Sequence, residues 1–190
     1  MMFKKIRLRF LISFVRCLFL MIKHGRNIKI NPLKVYISLS ATIKITNGGT
    51  LEIKGDRDRV FLSKNTSIHC SGGVLTIGNG VFFNENNHLV CHSSMSIGDD
   101  CLFGQNVCFF DSDHKFSNIE QKIRNQGYST KSVSVADNVW IGAGSVVTKG
   151  TSIGAHSVIG ANSVVRGLLE GQSVYAGNPV KFVRNIHGNR

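Results

Sequence analysis

The chain has five cysteines, an odd number, and no two of them stand in a C-x-x-C spacing. That argues against a disulfide framework and against a structural zinc site. Cys101 and Cys108 fall where residues of a repeating core should be, so they are read as buried free thiols, and a reducing cytoplasm follows. Proline is scarce, with two in 190 residues, while glycine is abundant at twenty without a collagen period; that combination suits one domain with many tight corners. Acidic residues are few, 11 against 23 Lys and Arg, for a formal net charge of +12. Such an excess attracts polyanions, among them anionic lipid, acidic polysaccharide or a phosphorylated cofactor. Aromatics are not interleaved with the basic residues and no nucleic-acid-binding motif is present, so no nucleic acid is expected as partner.

Long apolar runs are also missing. Residues 1–27 open with MMFKKIRLRFLISFVRCLFLMIK, which no proline or glycine interrupts, so a helix is expected. Arg16 divides its apolar residues into runs too short to span a bilayer, and no small-residue cleavage site follows it. Lys5, Arg9, Ser13, Arg16 and Lys23 fall near one stripe. A cationic stripe on an apolar helix suits an in-plane membrane anchor; a helix packed on its own domain or on a sister subunit is the other reading.

What is present is a period. Val135, Ile141, Val147, Ile153, Ile159 and Val165 follow one another at every sixth residue, with small or polar residues between them. A helix would space apolar residues by three and four, and a half-buried strand by two. A step of six is the signature of hexapeptide parallel β-helices, in which each repeat is one short strand plus a corner and three repeats close a triangular coil. The step appears earlier at Ile77, Phe83 and Leu89, and again, after a slip near residues 91–95, at Ile97, Phe103 and Phe109. GGTLEIKGD and GGVLTIGNG read as one unit used twice, and residues 56–59 as a solvated turn. The expected fold is all-β, a left-handed parallel β-helix over 28–172 with an N-terminal helix and a loop over 111–131 that protrudes from it. After Val165 the pattern stops, and 173–190 is expected to cap the open end, where strand edges would otherwise lie bare. A loop as long as DSDHKFSNIEQKIRNQGYSTK leaving a rigid prism is more often functional than accidental.

In order, IGDD, GQNVCFFDSDH, the loop, VADNVWIGAGSVV, SIGAHSVIGANSVV and YAGNPVKFVR resemble the hexapeptide acyltransferases. The branch is that of galactoside, maltose and xenobiotic acetyltransferases and of bacterial surface-polysaccharide O-acetyltransferases, and the likeness runs over about residues 72–186. It implies a homotrimer, acetyl-CoA bound between neighbouring prisms, a carbohydrate acceptor and no metal. It also implies a catalytic histidine at the start of the loop, here His114. A sugar hydroxyl is a poor nucleophile at neutral pH; a neutral imidazole accepts its proton as it attacks the thioester. Such a base needs an orienting partner, for which Asp111 and Asp113 are nearest, Glu120 being weaker; ordinary turn chemistry is the other role for the aspartates.

The resemblance further implies an oxyanion donor among the backbone amides of Gly142 and Ala143, with Asn86 contacting the acceptor; Trp140 is read either as walling the cleft or as capping the prism surface. Ala161 matches a residue along the pantetheine arm. Arg184 matches a basic residue near the nucleotide end, where phosphates call for positive charge, and Lys181 is a further candidate, an exposed solvated charge being its other reading. The chain departs from the family after Val165, where Arg166-Gly167 stands in place of a Thr-Lys pair, and Arg166 is expected to take over the lysine's role. Antibiotic acetylation on the same scaffold is an alternative. A carbonic-anhydrase-like metalloenzyme would need three converging histidines, and His88, His92 and His114 lack that family's spacing. A non-catalytic assembly module is the reading of another class.

Overall fold

The computed structural model describes residues 2–187, with side chains from Leu8 onward; Lys5, placed on the cationic stripe by the sequence, lies outside the described side chains. The six-residue step becomes a three-faced parallel coil. The first face stacks strands Ile28–Ile30, Thr50–Ile53, Val74–Ile77, Ser94–Ile97, Val133–Val135, Ser152–Ile153 and Leu168–Leu169. The second stacks Val35–Ile37, Val60–Leu62, Phe82–Phe83, Leu102–Phe103, Trp140–Ile141, Val158–Ile159 and Ser173–Ala176. The third stacks Thr42–Thr46, Ser67–Ser71, His88–Cys91, Cys108–Phe110, Val146–Val147 and Val164–Val165. The two glycine-glycine units do lie on one another, with Thr50 to Ile53 paired residue for residue with Val74 to Ile77.

Each coil sends one aliphatic or aromatic side chain per face inward, and these are fully buried: Phe83 and Phe103 lie 4.8 Å apart between ring centroids, Phe103 and Phe109 5.1 Å. In the early coils the first and third faces are longer and each sends two, such as Leu51 with Ile53 and Ile68 with Cys70. Cys101 is buried as expected, and its thiol is pushed up to about 11 by burial. Cys108 is only half-buried, because the inward position on its strand belongs to Phe109.

The corners explain the polar and small residues. Between second and third faces a left-handed residue recurs coil after coil: Asn65, Asn86, Asn106, Gly144 and Asn162 all have positive φ. Asparagine and glycine tolerate that region where branched residues do not. Gly142 is small for a different reason, since a Cβ there would lie 2.6 Å from the amide nitrogen of Ala161 in the next coil. Between first and second faces, side chains tie coil to coil. Asp137 Oδ1 accepts from the Asp99 amide at 2.8 Å, Asp99 Oδ1 from the Asn79 amide at 2.7 Å, and Asn79 Oδ1 from the Asp56 amide at 2.9 Å.

The coil does not stop at Val165. Leu169 and Tyr175 continue the buried file, on strands paired in parallel with Ser152–Ile153 and Val158–Ile159. The repeat is masked there because four residues, not six, separate Val165 from Leu169. Closure of this end falls to Lys181–Asn185, which runs antiparallel along Ser173–Ala176.

The other end is closed by helix α1, Met2–His24. Ser13, Cys17 and Leu20 are buried against the first coil. Ser13 Oγ accepts from the Ile37 amide at 2.8 Å and donates to the Val35 carbonyl at 3.3 Å. Arg16 donates to the Ser38 carbonyl at 2.7 Å and to those of Leu39 and Ala41. The middle of the cationic stripe is thus turned onto the prism, because strand ends and a corner there present carbonyls that no next coil takes up. Burial pushes the Cys17 thiol up to about 11. Arg16→Ala is expected to cost about 2 kcal/mol by removing charge-assisted bonds to the backbone, and Phe103→Ala about 3–5 kcal/mol by opening a core cavity. Urea denaturation of both variants checks this, and an Arg16→Ala protein as stable as the parent would deny the helix its capping role.

Candidate active site

The inserted loop is a β-hairpin. It leaves the third face after Phe110, and Ser112–His114 pairs antiparallel with Tyr128–Thr130, setting His114 directly opposite Tyr128. The rings of His114 and Tyr128 are 4.5 Å apart between centroids; on the other side of Tyr128, His92 stacks at 4.7 Å with planes 28° apart. His69, one coil below His92, extends the column at 6.3 Å. His114 itself is exposed, and among the described residues no hydrogen bond holds its ring nitrogens.

The two aspartates separate. Asp111 is fully buried, and its carboxylate accepts from the His92 amide at 2.8 Å and the Ser93 amide at 2.7 Å. Both oxygens are therefore spent on the corner one coil away, and Asp111 fastens the root of the hairpin instead of orienting His114. Asp113 is exposed and pairs with Lys149 at 3.1 Å; Lys149 also donates to Ser129 Oγ at 3.0 Å, bracing the two hairpin strands. Neither carboxylate contacts the imidazole. Glu120 is exposed at the hairpin's far end, where its amide donates to Asn118.

The remaining residues fall on two edges of the prism. Asn86, Gly142, Ala143 and Ala161 line the corner between second and third faces. Asn86 is a corner residue of positive φ, and its side-chain oxygen accepts from Asn65 at 3.0 Å. The Gly142 amide is committed to the Ile159 carbonyl at 2.8 Å, and the Gly144 amide to the Gln105 carbonyl at 2.8 Å. Of the two expected oxyanion donors, Ala143 alone keeps its N–H out of the coil ladder. His114, Arg166 and Lys149 instead share the edge between third and first faces, and Arg166 is exposed there. The third face lies between the two edges, a strand's width of roughly 10–15 Å.

Trp140 is on the second face, half-exposed over a groove of about 450 Å³ lined also by Asn138, His156 and His187, away from His114. Lys181 and Arg184 are exposed on the closing strand along that same face. Among the described residues no group of three His, Cys, Asp or Glu side chains could hold a metal ion.

His92, Tyr128 and Lys149 were not picked out as site residues from the sequence. They come from three segments: the register of the hairpin, which puts position 128 opposite 114, brings Tyr128 to the histidine, while His92 touches Tyr128 and Lys149 pairs with Asp113.

The family described as "Bacterial transferase hexapeptide (six repeats)" matches residues 132–167, and "Hexapeptide repeat of succinyl-transferase" matches 95–109. Galactoside O-acetyltransferase of Lactococcus lactis is 36% identical over 131 residues, 68% of this chain and 62% of that protein. A putative lipopolysaccharide biosynthesis O-acetyl transferase of Escherichia coli, WbbJ, is 34% identical over 124 residues, 60% of this chain and 62% of the relative. Among solved structures, a variant of AntD, an N-acyltransferase from Bacillus cereus in complex with dTDP-4-amino-4,6-dideoxyglucose and coenzyme A, superposes with a TM-score of 0.71 over 87% of each chain at 22% identity, a likeness of fold. The matches span between 42% and 62% of the length of the first curated relatives.

Asp111→Ala is expected to destabilise the fold by about 2–3 kcal/mol, since two backbone amides lose a charged acceptor. Asp113→Asn removes an exposed pair and should cost under about 1 kcal/mol. Urea midpoints of the two variants measured side by side test this ordering. A second expectation concerns pH. His69 has its pKa lowered by burial, then by Lys44 and His92, and His24 has its pKa lowered by burial, then by Lys23. The unfolded chain therefore binds protons first as pH falls, so stability should decline as pH drops through the ordinary histidine value of about 6.5 and below it. A flat urea midpoint over that window would contradict it.

Proposed function

We propose that the chain is a hexapeptide-repeat acetyltransferase and that it moves an acetyl group from acetyl-CoA to a sugar hydroxyl of a bacterial surface polysaccharide, capsule or O-antigen, or of its precursor. The observation that carries this reading is His114: an exposed imidazole at the root of the hairpin, fixed from one side by Tyr128, with its ring nitrogens open to a substrate. The resemblance to galactoside O-acetyltransferase and to WbbJ supports a sugar hydroxyl as acceptor.

In this reading the neutral His114 imidazole takes the hydroxyl proton as the oxygen attacks the thioester carbonyl. A tetrahedral intermediate forms, and its oxyanion is met by the Ala143 amide. Collapse expels the coenzyme A thiolate, which His114 reprotonates. No covalent acyl-enzyme is needed. Since Asp111 is spent on the backbone and Asp113 on Lys149, the imidazole rests against the tilted Tyr128 ring rather than on a carboxylate.

Ala143 and His114 lie on different edges of one chain, so the reaction requires a second copy. In a homotrimer, one prism's edge bearing Asn86, Ala143 and Ala161 would face its neighbour's edge bearing His114 and Arg166. Coenzyme A would run along the small-residue edge. Arg166, Lys181 and Arg184 are the cations assigned to its phosphates, and Trp140 walls the groove beside the closing strand. Among the described residues no helix is long and apolar enough to cross a membrane. We place the reaction in the cytoplasm, where acetyl-CoA is made, at the inner face of the inner membrane.

Thiol release from acetyl-CoA, with a panel of bacterial polysaccharides and simple sugars as acceptors, tests the reading. His114→Ala is expected to lower acceptor-dependent release by about 10²–10⁴-fold. Tyr128→Phe should keep most of it, while Tyr128→Ala lowers kcat more than it changes KM for acetyl-CoA. Undiminished transfer in His114→Ala would remove the histidine from the chemistry.

A further inference from the structure

The capping role of α1 uses only one side of it. Ser13, Arg16, Cys17 and Leu20 face the prism. The opposite side carries Leu8, Leu11, Val15, Leu18, Phe19 and Ile22, all exposed, from 39% at Leu18 to 84% at Ile22. By the 100° turn per residue these six fall within an arc of about 100°, and from Leu8 onward no charged residue interrupts it. The strip is widened at its flanks by Leu33, 74% exposed, and Leu39, 68% exposed, on the turns of the first coil. An unbroken apolar surface of this size is not an ordinary feature of a solvated helix.

Its borders are basic. Arg9, Lys23 and Arg26 are exposed along one side. On the other, Arg59 is exposed and lies over the Phe10 ring at 4.9 Å. Residues 1–24 hold six Lys and Arg and no acidic residue at all. A second copy of this helix would therefore bring like charge against like charge. An anionic bilayer supplies both of the missing complements, acyl chains for the strip and phosphate headgroups for its cationic borders.

We propose that this outward side of α1, with Leu33 and Leu39, is a docking surface for an anionic phospholipid membrane, on which the helix lies in the plane of the interface. The geometry is the reverse of a stripe in which all the cations point toward lipid, because Arg16 is turned inward onto the Ser38, Leu39 and Ala41 carbonyls. Since α1 closes the first coil, the prism stands on the membrane by its N-terminal end, with the hairpin held away from it. This surface does not depend on the transferase reading, and vesicle binding can fail or succeed whatever the enzyme assay gives.

The test is flotation of the full-length protein with vesicles of phosphatidylglycerol and phosphatidylethanolamine, and with phosphatidylcholine vesicles as the neutral arm. Binding is expected to the anionic vesicles, weakening as salt is raised. Val15→Glu/Ile22→Glu, whose sites are exposed, should lower the partition coefficient about tenfold or more, with an unchanged thermal melt. Phe19→Ser serves as a second, milder variant should the double one fold poorly. No binding by the parent protein overturns the proposal, and so does unchanged binding in both variants. It is equally overturned if light scattering shows that these substitutions dissociate an oligomer, because the strip would then be an interface between copies.

Discussion

Everything in this molecule hangs on one backbone arrangement. Each short strand gives its N–H and C=O groups to the coil above and the coil below, as in the run Phe82 to Leu102 to Trp140 to Val158. Along its strands such a stack satisfies itself internally, and it leaves whole strands without partners at its two ends. Coils must also approach to strand spacing at the corners, where a Cβ meets backbone. That is why Gly142 sits under Ala161 and Gly104 under Ala143. The same crowding keeps one edge of the prism smooth enough for a long, thin ligand to lie along it.

The two ends are closed by unlike devices. At one, a helix brings a guanidinium to three carbonyls and a serine hydroxyl to an amide and a carbonyl. At the other, a reversed strand, Lys181–Asn185, ends the parallel stack. Between them the only major departure from the coil is the hairpin, and its root is fastened by a buried carboxylate that spans one coil. The parts of the molecule that carry polar chemistry are thus the places where the repeat is interrupted, and the interruptions are themselves held by the repeat.

The buried file from Val135 to Val165 was legible in the sequence because an inward position admits little but aliphatic side chains and recurs at a fixed step. The earlier coils were harder to read for a physical reason. Ile53 and Ile77 are partners 24 residues apart, Ile77 and Ile97 partners 20 apart, and only from Val135 to Ile153 does the separation settle at 18. Longer strands with two inward residues stretch the period without breaking the register. The last turn, Leu169 and Tyr175, was missed because a short corner shifts it. At the candidate site, the place of His114 at the start of the hairpin could be read from the sequence. What Asp111 does could not, since its partners His92 and Ser93 are a coil away in sequence and adjacent only once stacked. The side that α1 turns inward was likewise hidden: charge is expected outward, and Arg16 goes inward because carbonyls of the first coil, those of Leu39 and Ala41 among them, have no preceding coil to serve.

One property of the stack sets a length scale. The hairpin is inserted between the fourth and fifth strands of the first face, and neighbouring strands are about 4.8 Å apart. The imidazole therefore stands roughly four strand spacings, on the order of 20 Å, along the axis from the helix that closes the first coil. That distance is quantised. Adding or deleting a whole coil below the hairpin would raise or lower the imidazole by one step of about 5 Å, with the corners, both closures and the inserted arm left as they are. Intermediate heights are forbidden, because a partial coil would rotate the hairpin onto a different face. A chain of this design can set its hairpin at different heights above the closing helix by counting coils, without altering a single residue of the hairpin itself.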